Sequence, residues 1–318
     1  MKRRENLVLV SVLFAISPTF CMPSHGDLIV GWGSNHTGQI NVPSGGDFVA
    51  IASGHSHNFA LKSDGSIVVW GGEMDYGQYN VPTGNDFIKI SSGWYHGLAI
   101  KSDGSLVGWG KNGDGQSNVP LGNNFIDVVA GDNHSMALKS DGSLVAWGRN
   151  AFGQCDVPTG NDFVAIGAGD HHSLALRSNG TILAWGWNHH GQLNVPTGSD
   201  FIGISAGYYH NVAIRTGGSL VAWGGNDMGQ CNVPSGNDFV SVASGMAHNI
   251  ALRSNGSLVA WGWNGDGECD VPSGNYYVDT TVGWNHSIAL APVPAPGALL
   301  LGTLGLGAAG WKLRRRKE

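Results

Sequence analysis

The sequence predicts an all-β fold, a seven-bladed β-propeller closed by pairing of the N-terminal strand with the C-terminal unit. Three observations lead to this prediction. A unit of about 38 residues recurs seven times within residues 27–290. Each unit holds three short segments of strand-forming residues separated by turn residues, and the two ends of the series carry complementary parts of one unit. Radial repetition of small antiparallel sheets leaves only short, protected edges, so repeats of this kind favour a propeller.

Three landmarks recur in every unit and set its period. A Trp-Gly pair, a Val-Pro pair and a histidine each return every 38 residues, with one interval of 39 that indicates a loop insertion in segment 72–76. We expect the tryptophans to pack the blades and each imidazole to bond to neighbouring backbone. The tryptophans are Trp32, Trp70, Trp109, Trp147, Trp185, Trp223 and Trp261. The histidines are His57, His96, His134, His172, His210, His248 and His286.

The unit at residues 161–198 illustrates the predicted strands. Segment 163–166 is rich in β-branched and aromatic residues, which favour a strand, and segment 172–176 continues after a short break. Ser-Asn-Gly at 178–180 is typical of a tight hairpin turn, and segment 181–185 returns as the third strand. Repeated turns of this kind explain the 51 glycines, which are roughly twice the average usage.

The two ends of the repeat series predict how the ring closes. The last unit stops at residues 286–290 and lacks a third strand, whereas the first residues of the series, 28–32, form a third strand with no unit before them. Joining these parts completes a seventh blade. An open solenoid is the alternative, but it would leave both incomplete units unpaired.

Composition and charge exclude several classes of protein. Charged residues make up only 13% of the chain, and 12 tryptophans argue against disorder. Residues 27–290 contain nine Lys and Arg against 21 Asp and Glu. A domain this acidic repels phosphate backbones, so we expect no nucleic-acid partner.

The N-terminus has the pattern of a secretory signal peptide. Lys2, Arg3 and Arg4 precede an apolar run at residues 7–16, which is too short to span a bilayer comfortably. We assign residues 1–26 to this signal peptide, and the alternative is a buried N-terminal helix.

The C-terminal tail, residues 291–318, is predicted to contain a short transmembrane segment. Pro294 and Pro296 precede the apolar residues 297–311, and a basic cluster follows. Fifteen residues of helix span about 22 Å, less than the roughly 30 Å of a bilayer core, but flanking basic side chains can reach the interface. The basic cluster should remain cytoplasmic and residues 27–290 outside. The basic residues proposed to serve in sorting are Arg314, Arg315 and Arg316.

This tail resembles the PEP-CTERM sorting signal of Gram-negative bacteria, which combines a proline motif, an apolar helix and an arginine cluster. It departs from that signal at Ala295, where the motif has Glu. The resemblance implies membrane retention, processing by an exosortase-type enzyme, and delivery to the cell surface or extracellular matrix. A plain membrane anchor is the alternative, and it would leave the domain equally exported.

The repeats themselves resemble a known family. The run Gly-x-x-His-Ser-x-Ala-Leu-Lys-Ser-Asp-Gly-Ser-Leu-Val-Ala-Trp-Gly at residues 131–148 is similar to the regulator of chromosome condensation repeat. The Gly-Gln-x-Asn-Val-Pro segment that follows in other units is similar to short bacterial versions, which include the secreted type II β-lactamase inhibitor protein. The resemblance implies a seven-bladed propeller and fixes fold far more than function.

No catalytic residue, metal site or cofactor is predicted. Candidate nucleophiles such as Ser173 and acids such as Asp141 recur from unit to unit, whereas an active site needs a local departure that assembles several groups. Equivalent histidines around a seven-fold ring face one another across an axial gap, too far to share one ion. We interpret the other histidines as solvated loop residues: His25, His36, His55, His171, His189 and His190. Three cysteines occupy one repeat position and are expected to be unpaired: Cys155, Cys231 and Cys269.

Chain direction predicts a binding face. The loop before each repeated histidine and the loop after each Trp-Gly pair should lie at one end of the ring, and the Asp-Gly turns at the other. The Asp-Gly turns hardly vary, whereas the first set of loops varies and carries aromatic residues, as binding loops do. Neutral drift in solvent-exposed loops is the alternative. The predicted ligand-binding residues are Tyr76, Trp94, Tyr95, Phe152, Trp187, Tyr208, Tyr209, Trp263 and Trp284.

The sequence therefore favours an exported, non-enzymatic propeller that binds a protein or polysaccharide ligand through this aromatic face. A secreted protein inhibitor of an enzyme is the first alternative. A propeller lyase or hydrolase is the second, and it would show metal-dependent turnover.

Overall fold

The computed structural model describes residues 27–72 and 75–292, which form 21 β-strands in seven three-stranded antiparallel sheets. The predicted signal peptide and the sorting residues from Pro294 onward lie outside the described residues. Within the described part of the chain, no helix is long and apolar enough to cross a membrane.

Each sheet is one blade and follows the predicted order of strands. The first strands of the blades are β2 (Phe48–Ser53), β5 (Phe87–Ser92), β8 (Phe125–Ala130), β11 (Phe163–Ala168), β14 (Phe201–Ala206), β17 (Phe239–Ser244) and β20 (Asp279–Val282). The second strands are β3 (His57–Lys62), β6 (His96–Lys101), β9 (His134–Lys139), β12 (His172–Arg177), β15 (His210–Arg215), β18 (His248–Arg253) and β21 (His286–Ala291). The third strands are β4 (Ile67–Gly71), β7 (Leu106–Gly110), β10 (Leu144–Gly148), β13 (Ile182–Gly186), β16 (Leu220–Gly224), β19 (Leu258–Gly262) and β1 (Leu28–Gly33).

The seven blades form a closed ring around a central axis. Each first strand contacts the first strand of the next blade, and β20 contacts β2, so the series returns to its start. The first strands also line the space along the axis, as the residues around the axial cavity show. The seven-bladed propeller is therefore confirmed, with three strands in each blade.

The predicted closure is also confirmed. Strand β1 pairs antiparallel with β21 from Leu28 opposite Ala291 to Gly33 opposite His286, and β21 pairs with β20 on its other side. Trp32 is buried in this blade, and its indole Nε1 donates to the Glu268 carbonyl at 2.9 Å. The first residues of the propeller thus supply the outer strand of its last blade.

The core lies between neighbouring blades. Second strands are buried along almost their whole length, because both faces of each sheet are covered by adjacent sheets. Phe59, for example, is fully buried and lies 5.0 Å from the Trp109 ring of the next blade. Each such side chain contributes about 1.5–3 kcal/mol when it is buried. The repeated tryptophans contribute to this packing, as predicted.

The two ends of the ring have different surfaces. We call the end with the loops before the histidines the upper face, and the end with the Asp-Gly turns the lower face. Six first strands contain a register shift just after their initial phenylalanine, at the lower face. The residue at this shift or its equivalent is exposed and β-branched in six blades, a feature that sequence analysis missed. These residues are Val49, Ile88, Ile126, Ile202, Val240 and Val278.

Candidate binding face and axial cavity

The antiparallel registers place the variable loops together on the upper face. In each complete blade the first residue of the second strand pairs with the last residue of the third, as His172 does with Gly186. The loop before the histidine and the loop after the Trp-Gly pair therefore leave the sheet at the same end. The Asp-Gly hairpins lie at the opposite end, where Gly65 accepts a backbone hydrogen bond from Phe87 of the next blade at 3.2 Å.

One residue from each blade surrounds the mouth of an axial cavity of about 100 Å³. Below this ring, each blade contributes the glycine that directly follows its first strand. A Cβ atom at Gly93 would lie 2.3 Å from the His96 ring and 2.4 Å from the Gly131 carbonyl, so only glycine allows the blades to meet here. The residues at the mouth are His55, Trp94, Asp132, Asp170, Tyr208, Met246 and Trp284.

Eight of the nine predicted binding residues form one continuous series of ring contacts, which we call the aromatic belt. Consecutive ring centroids are 4.2 to 6.0 Å apart, within the range of favourable aromatic pairs. The belt crosses the upper face and passes through the mouth of the cavity. In order, it consists of Tyr76, Tyr95, Trp94, Trp284, Tyr208, Tyr209, Trp187 and Phe152.

The ninth predicted residue, Trp263, lies apart from the belt. Its side chain is 42% exposed and packs over Gly265 in its own loop, where a Cβ atom would lie 2.4 Å from the indole. Among the described residues, no other aromatic ring contacts it. The repeat position alone therefore placed Trp263 on the correct face but did not place it in the belt.

Histidines interpreted as solvated loop residues belong to this surface instead, which corrects that expectation. His55 lies 4.6 Å from the Trp284 ring, His171 stacks 5.0 Å from Phe152, and His190 stacks 4.5 Å from Tyr209. Burial lowers the pKa of His55 to about 4, so this ring is neutral at physiological pH. The signal was available in part, because His55 and His171 occupy the variable loop before the repeated histidine.

Two carboxylates interrupt the aromatic residues at the mouth. Asp170 is 2% exposed, and its Oδ1 lies 2.8 Å from Nδ1 of His171. Interaction with the Asp170 carboxylate raises the pKa of the His171 imidazole. Burial and the neighbouring Asp170 raise the pKa of Asp132 well above its ordinary value. Sequence analysis gave neither aspartate a role, because each looks like an ordinary polar loop residue until the ring brings them together.

The repeated histidines are structural, but their partner differs from the expected one. Each Nε2 lies 2.7 to 3.1 Å from a serine or asparagine side-chain oxygen, rather than from backbone. We call this set the histidine relay. Its contacts are His57 with Ser92, His96 with Ser135, His134 with Ser173, His172 with Asn211, His210 with Asn249, His248 with Ser287, and His286 with Asn58.

The chemistry of the relay explains its fixed geometry. Asn211 donates from its amide nitrogen to the Gln192 carbonyl, so its oxygen faces His172 and can only accept. The imidazole Nε2 therefore carries the hydrogen. The contact of His57 differs from the other six. The next blade has Gly97 where the other blades have a serine or an asparagine, so His57 bonds instead to Ser92 on the first strand of that blade.

The Ser–His contacts in the relay cannot act as nucleophile–base pairs in this conformation. Ser173 and His134 are 2.9 Å apart, but both residues are fully buried and the serine hydroxyl donates to the Gln154 carbonyl at 2.9 Å. Burial also lowers the pKa of His134 to about 3. Within residues 27–72 and 75–292, no group of three or more His, Cys, Asp or Glu side chains is arranged to hold a metal ion.

The three cysteines at one repeat position are free thiols in the structure. Cys155 Sγ donates to the Arg149 carbonyl at 3.2 Å, and Cys231 makes the same contact with the Gly225 carbonyl. Burial raises the pKa of each thiol, including that of Cys269, to about 11. They are therefore protonated at physiological pH, which lowers their nucleophilicity.

Comparison with known proteins places these features in context. The model of the Regulator of chromosome condensation (RCC1) repeat matches more than half of the chain, and a comparison with curated protein sequences finds no significant match. The matched segments are residues 48–78, 87–116, 125–154, 163–192, 201–230 and 239–268.

Solved structures share the fold at low sequence identity. Prp20p from Saccharomyces cerevisiae has a TM-score of 0.72 and 15% identity, over 88% of this chain and 95% of the yeast chain. Human WBSCR16 has a TM-score of 0.70 and 16% identity, over 85% of this chain and 100% of the human chain. The ectodomain of the Physcomitrella patens receptor kinase CR4 has a TM-score of 0.62 and 22% identity, over 74% and 68% of the two chains.

Proposed function

Because the chain belongs to the RCC1 repeat family, whose propellers present loops at the two ends of a rigid ring, we propose that it is a binding protein. It is an exported, non-enzymatic propeller that captures a protein or glycan ligand through its upper face, at the cell surface or in the extracellular matrix. The observation that carries this proposal is the aromatic belt, because eight large rings in continuous contact lie where the units differ most.

The composition of the belt suits an interface. Tyrosine and tryptophan offer a large contact area with few rotatable bonds to immobilise, and they are enriched among residues that dominate binding energy. Tyr76 and Phe152 at the two ends of the belt are 46% and 43% exposed, so the series extends from the axis to the solvent-accessible rim. The related yeast propeller Prp20p has binding properties toward Gsp1p and histones, which supports a protein ligand.

Ligand capture by matched variants tests the proposal. The full chain, immobilised, is incubated with the extracellular and surface fractions of its own cells, and the retained protein or polysaccharide is identified. Trp187→Ala combined with Tyr209→Ala should weaken capture at least about tenfold, because interface anchors of this kind contribute about 2 kcal/mol or more. Leu121→Ala serves as the control, since Leu121 is fully exposed beside the lower face. Equal capture by the belt variant and the wild type would place the binding site elsewhere.

The positions of the two terminal strands of the propeller suit a membrane-anchored tail. Strand β1 begins at Leu28 and β21 ends at Ala291, and these residues pair at the lower face. A membrane-bound tail attached after residue 292 would therefore leave the aromatic belt directed away from the membrane. This orientation is the one that a surface-exposed binding protein requires.

Replacement of the basic cluster tests the proposed sorting signal. Arg314→Ala, Arg315→Ala and Arg316→Ala together remove the charges that should hold the tail at the cytoplasmic side. We expect membrane retention or tail processing to fail, as measured by cell fractionation and the mass of the mature protein. Arg215→Ala is the control, because it also removes an arginine side chain but lies on the propeller rather than in the tail. Unchanged processing and surface delivery in the triple variant would contradict the sorting signal.

A further inference from the structure

We propose that the mouth of the axial cavity binds a basic side chain of a protein ligand, with Asp132 and Asp170 as counter-ions and the rings of Trp94, Trp284 and Tyr208 as its walls. This inference rests on the proposed binding function and names the chemistry that its central subsite recognises. It depends on the acid pair, on the surrounding rings and on the size of the cavity.

The acid pair has unused capacity to accept hydrogen bonds. Asp170 is 2% exposed, yet its Oδ1 makes no aligned hydrogen bond to another described residue, and neither does Oδ2 of Asp132. Both residues line the cavity. A buried carboxylate oxygen without a donor is costly, and two adjacent carboxylates repel one another. A cation entering the mouth would relieve both penalties.

Basic groups of the chain itself satisfy this pair only in part. Lys111 is directed to the Asn133 side-chain oxygen at 3.0 Å, and its Nζ lies 5.8 Å from the centre of the Trp94 ring. His171 lies 2.8 Å from Asp170, but its Nδ1 and the Asp170 Oδ1 are not aligned as donor and acceptor. Lys111 also shows that ammonium groups already lie over the rings of this surface.

The aromatic residues at the mouth provide the second half of a cation site. Trp94 and Trp284 stack with centroids 5.5 Å apart, and Tyr208 contacts Trp284 edge to face at 5.1 Å. These residues lie on blades flanking and opposite the acid pair, and all of them line the same cavity. Aromatic faces attract ammonium and guanidinium groups, most strongly where water is excluded.

The size of the cavity favours a single head group on a flexible stem. Its volume of about 100 Å³ leaves room for a small polar group between the acid pair and the rings. That space accommodates the end of a lysine or arginine side chain, whose flexible stem can extend out of the mouth. The residues of the aromatic belt that lie outside the mouth would contact the rest of the protein ligand. The mouth and the remainder of the belt therefore have separate roles.

Titration with small model compounds tests the site directly, and it does not require the natural ligand. The full chain, labelled at its tryptophans, is titrated with the N-acetyl methylamides of lysine and arginine while indole resonances are followed by NMR. We expect saturable shifts of the Trp94 and Trp284 signals with the lysine or the arginine derivative. The neutral counterparts, derived from norleucine and citrulline, should bind at least tenfold more weakly. Equal binding of charged and neutral compounds would overturn the proposal.

Matched variants separate the acid pair from a general charge effect. Asp132→Asn with Asp170→Asn should weaken binding of the basic derivatives at least tenfold, because both counter-ions are removed while the size of the side chains is kept. Asp114→Asn, an exposed aspartate in another upper-face loop, should stay within twofold of the wild type. A fall in Tm with loss of binding would identify the pair as structural and overturn the proposal.

Three further outcomes bear on this inference, and the last two distinguish it from the proposed function. If glucosamine binds and neither amino-acid derivative does, the mouth recognises a cationic glycan rather than a protein side chain, and the proposal is overturned. If no cation binds while Trp187→Ala with Tyr209→Ala still abolishes ligand capture, the cation site is wrong and the binding function stands. If cations bind and the belt variant captures ligand normally, the function of the belt is wrong instead.

Discussion

At the scale of single residues, the histidine relay shows how a fully buried polar side chain is satisfied. His134 is neutral because burial lowers the pKa of its imidazole, and its Nε2–H has one acceptor, the hydroxyl of Ser173 on the next blade. That hydroxyl in turn donates to the Gln154 carbonyl, which also accepts from the indole of Trp185 at 3.0 Å. One serine therefore links the histidine of one blade to a carbonyl that also accepts from the tryptophan of the next blade.

Removal of this serine hydroxyl should be costly despite its small size. Ser173→Ala leaves the buried Nε2–H of His134 without an acceptor, so we expect a loss of about 1–3 kcal/mol in the free energy of unfolding. Chemical denaturation measures the change. Ser199→Ala, at an exposed turn, should change the stability by less than about 0.5 kcal/mol. Equal stability of the two variants would show that the relay contact contributes nothing.

Two tryptophans of the upper face are less exposed than their loop positions suggest. Trp94 and Trp284 occupy loops, and loop residues are usually exposed, but these two are partly buried and stack on one another. Their truncation would therefore disturb the mouth of the cavity as well as any contact with ligand. Trp187 and Tyr209 are also partly buried, but they do not line the cavity, so they are the better positions at which to test the belt separately from the mouth.

At the scale of elements, β1 carries the closure of the ring. Its side chains Ile29 and Trp32 are buried between blades, and its backbone pairs with the whole of β21. Without β1, the outer edge of β21 and the side chains beneath it would be exposed to water.

Deletion of residues 27–33 should therefore lower the free energy of unfolding by about 3–6 kcal/mol, from the two buried side chains alone at about 1.5–3 kcal/mol each. Thermal and denaturant unfolding measure this loss, and hydrogen exchange should increase first in β20 and β21. A chain that lacks only residues 1–26 is the control and should unfold like the full chain. An unchanged melting curve for the deletion would refute the closure.

The elements also show what sequence reasoning can and cannot reach. The repeat period and the incomplete end units predicted the sheets, the closure and the upper-face position of the aromatic residues. The partner of each histidine escaped prediction, because Ser173 and His134 are 39 residues apart and meet only when two blades pack. The separation of Trp263 from the belt depends on the path of its own loop, which no periodic pattern encodes.

At the scale of the whole molecule, seven buried histidines make folding sensitive to acid. Burial lowers their pKa values from 6.5 to about 3 or 4. As the pH falls below about 6.5, the unfolded chain takes up protons that the folded chain cannot, so the folded state loses stability. Above pH 6.5 these groups are neutral in both states and have no effect.

The loss should be steep. Seven groups at about 1.4 kcal/mol per pH unit each give a slope approaching about 10 kcal/mol per pH unit, comparable with the whole stability of a typical domain. Four groups with raised pKa values act in the opposite direction, because they favour the folded state as the pH falls, but they are fewer than the seven histidines. These groups are Asp27, Asp132, Asp279 and His171. We expect cooperative unfolding between about pH 6 and pH 4, measured by circular dichroism. Constant stability from pH 7 to pH 4 would contradict the neutral, buried state of the relay.

Strand β1 finally determines the order in which the molecule can be completed. Six blades consist of consecutive residues, so each can assemble as soon as its own segment is free. The seventh needs residues 28–33, which are made early, and residues 286–291, which are made late. In an exported chain that crosses the membrane from its N-terminus, the first strand to emerge must wait unpaired until the last one arrives. Ring closure is therefore the last step in the assembly of the propeller, and it cannot precede the arrival of residues 286–291.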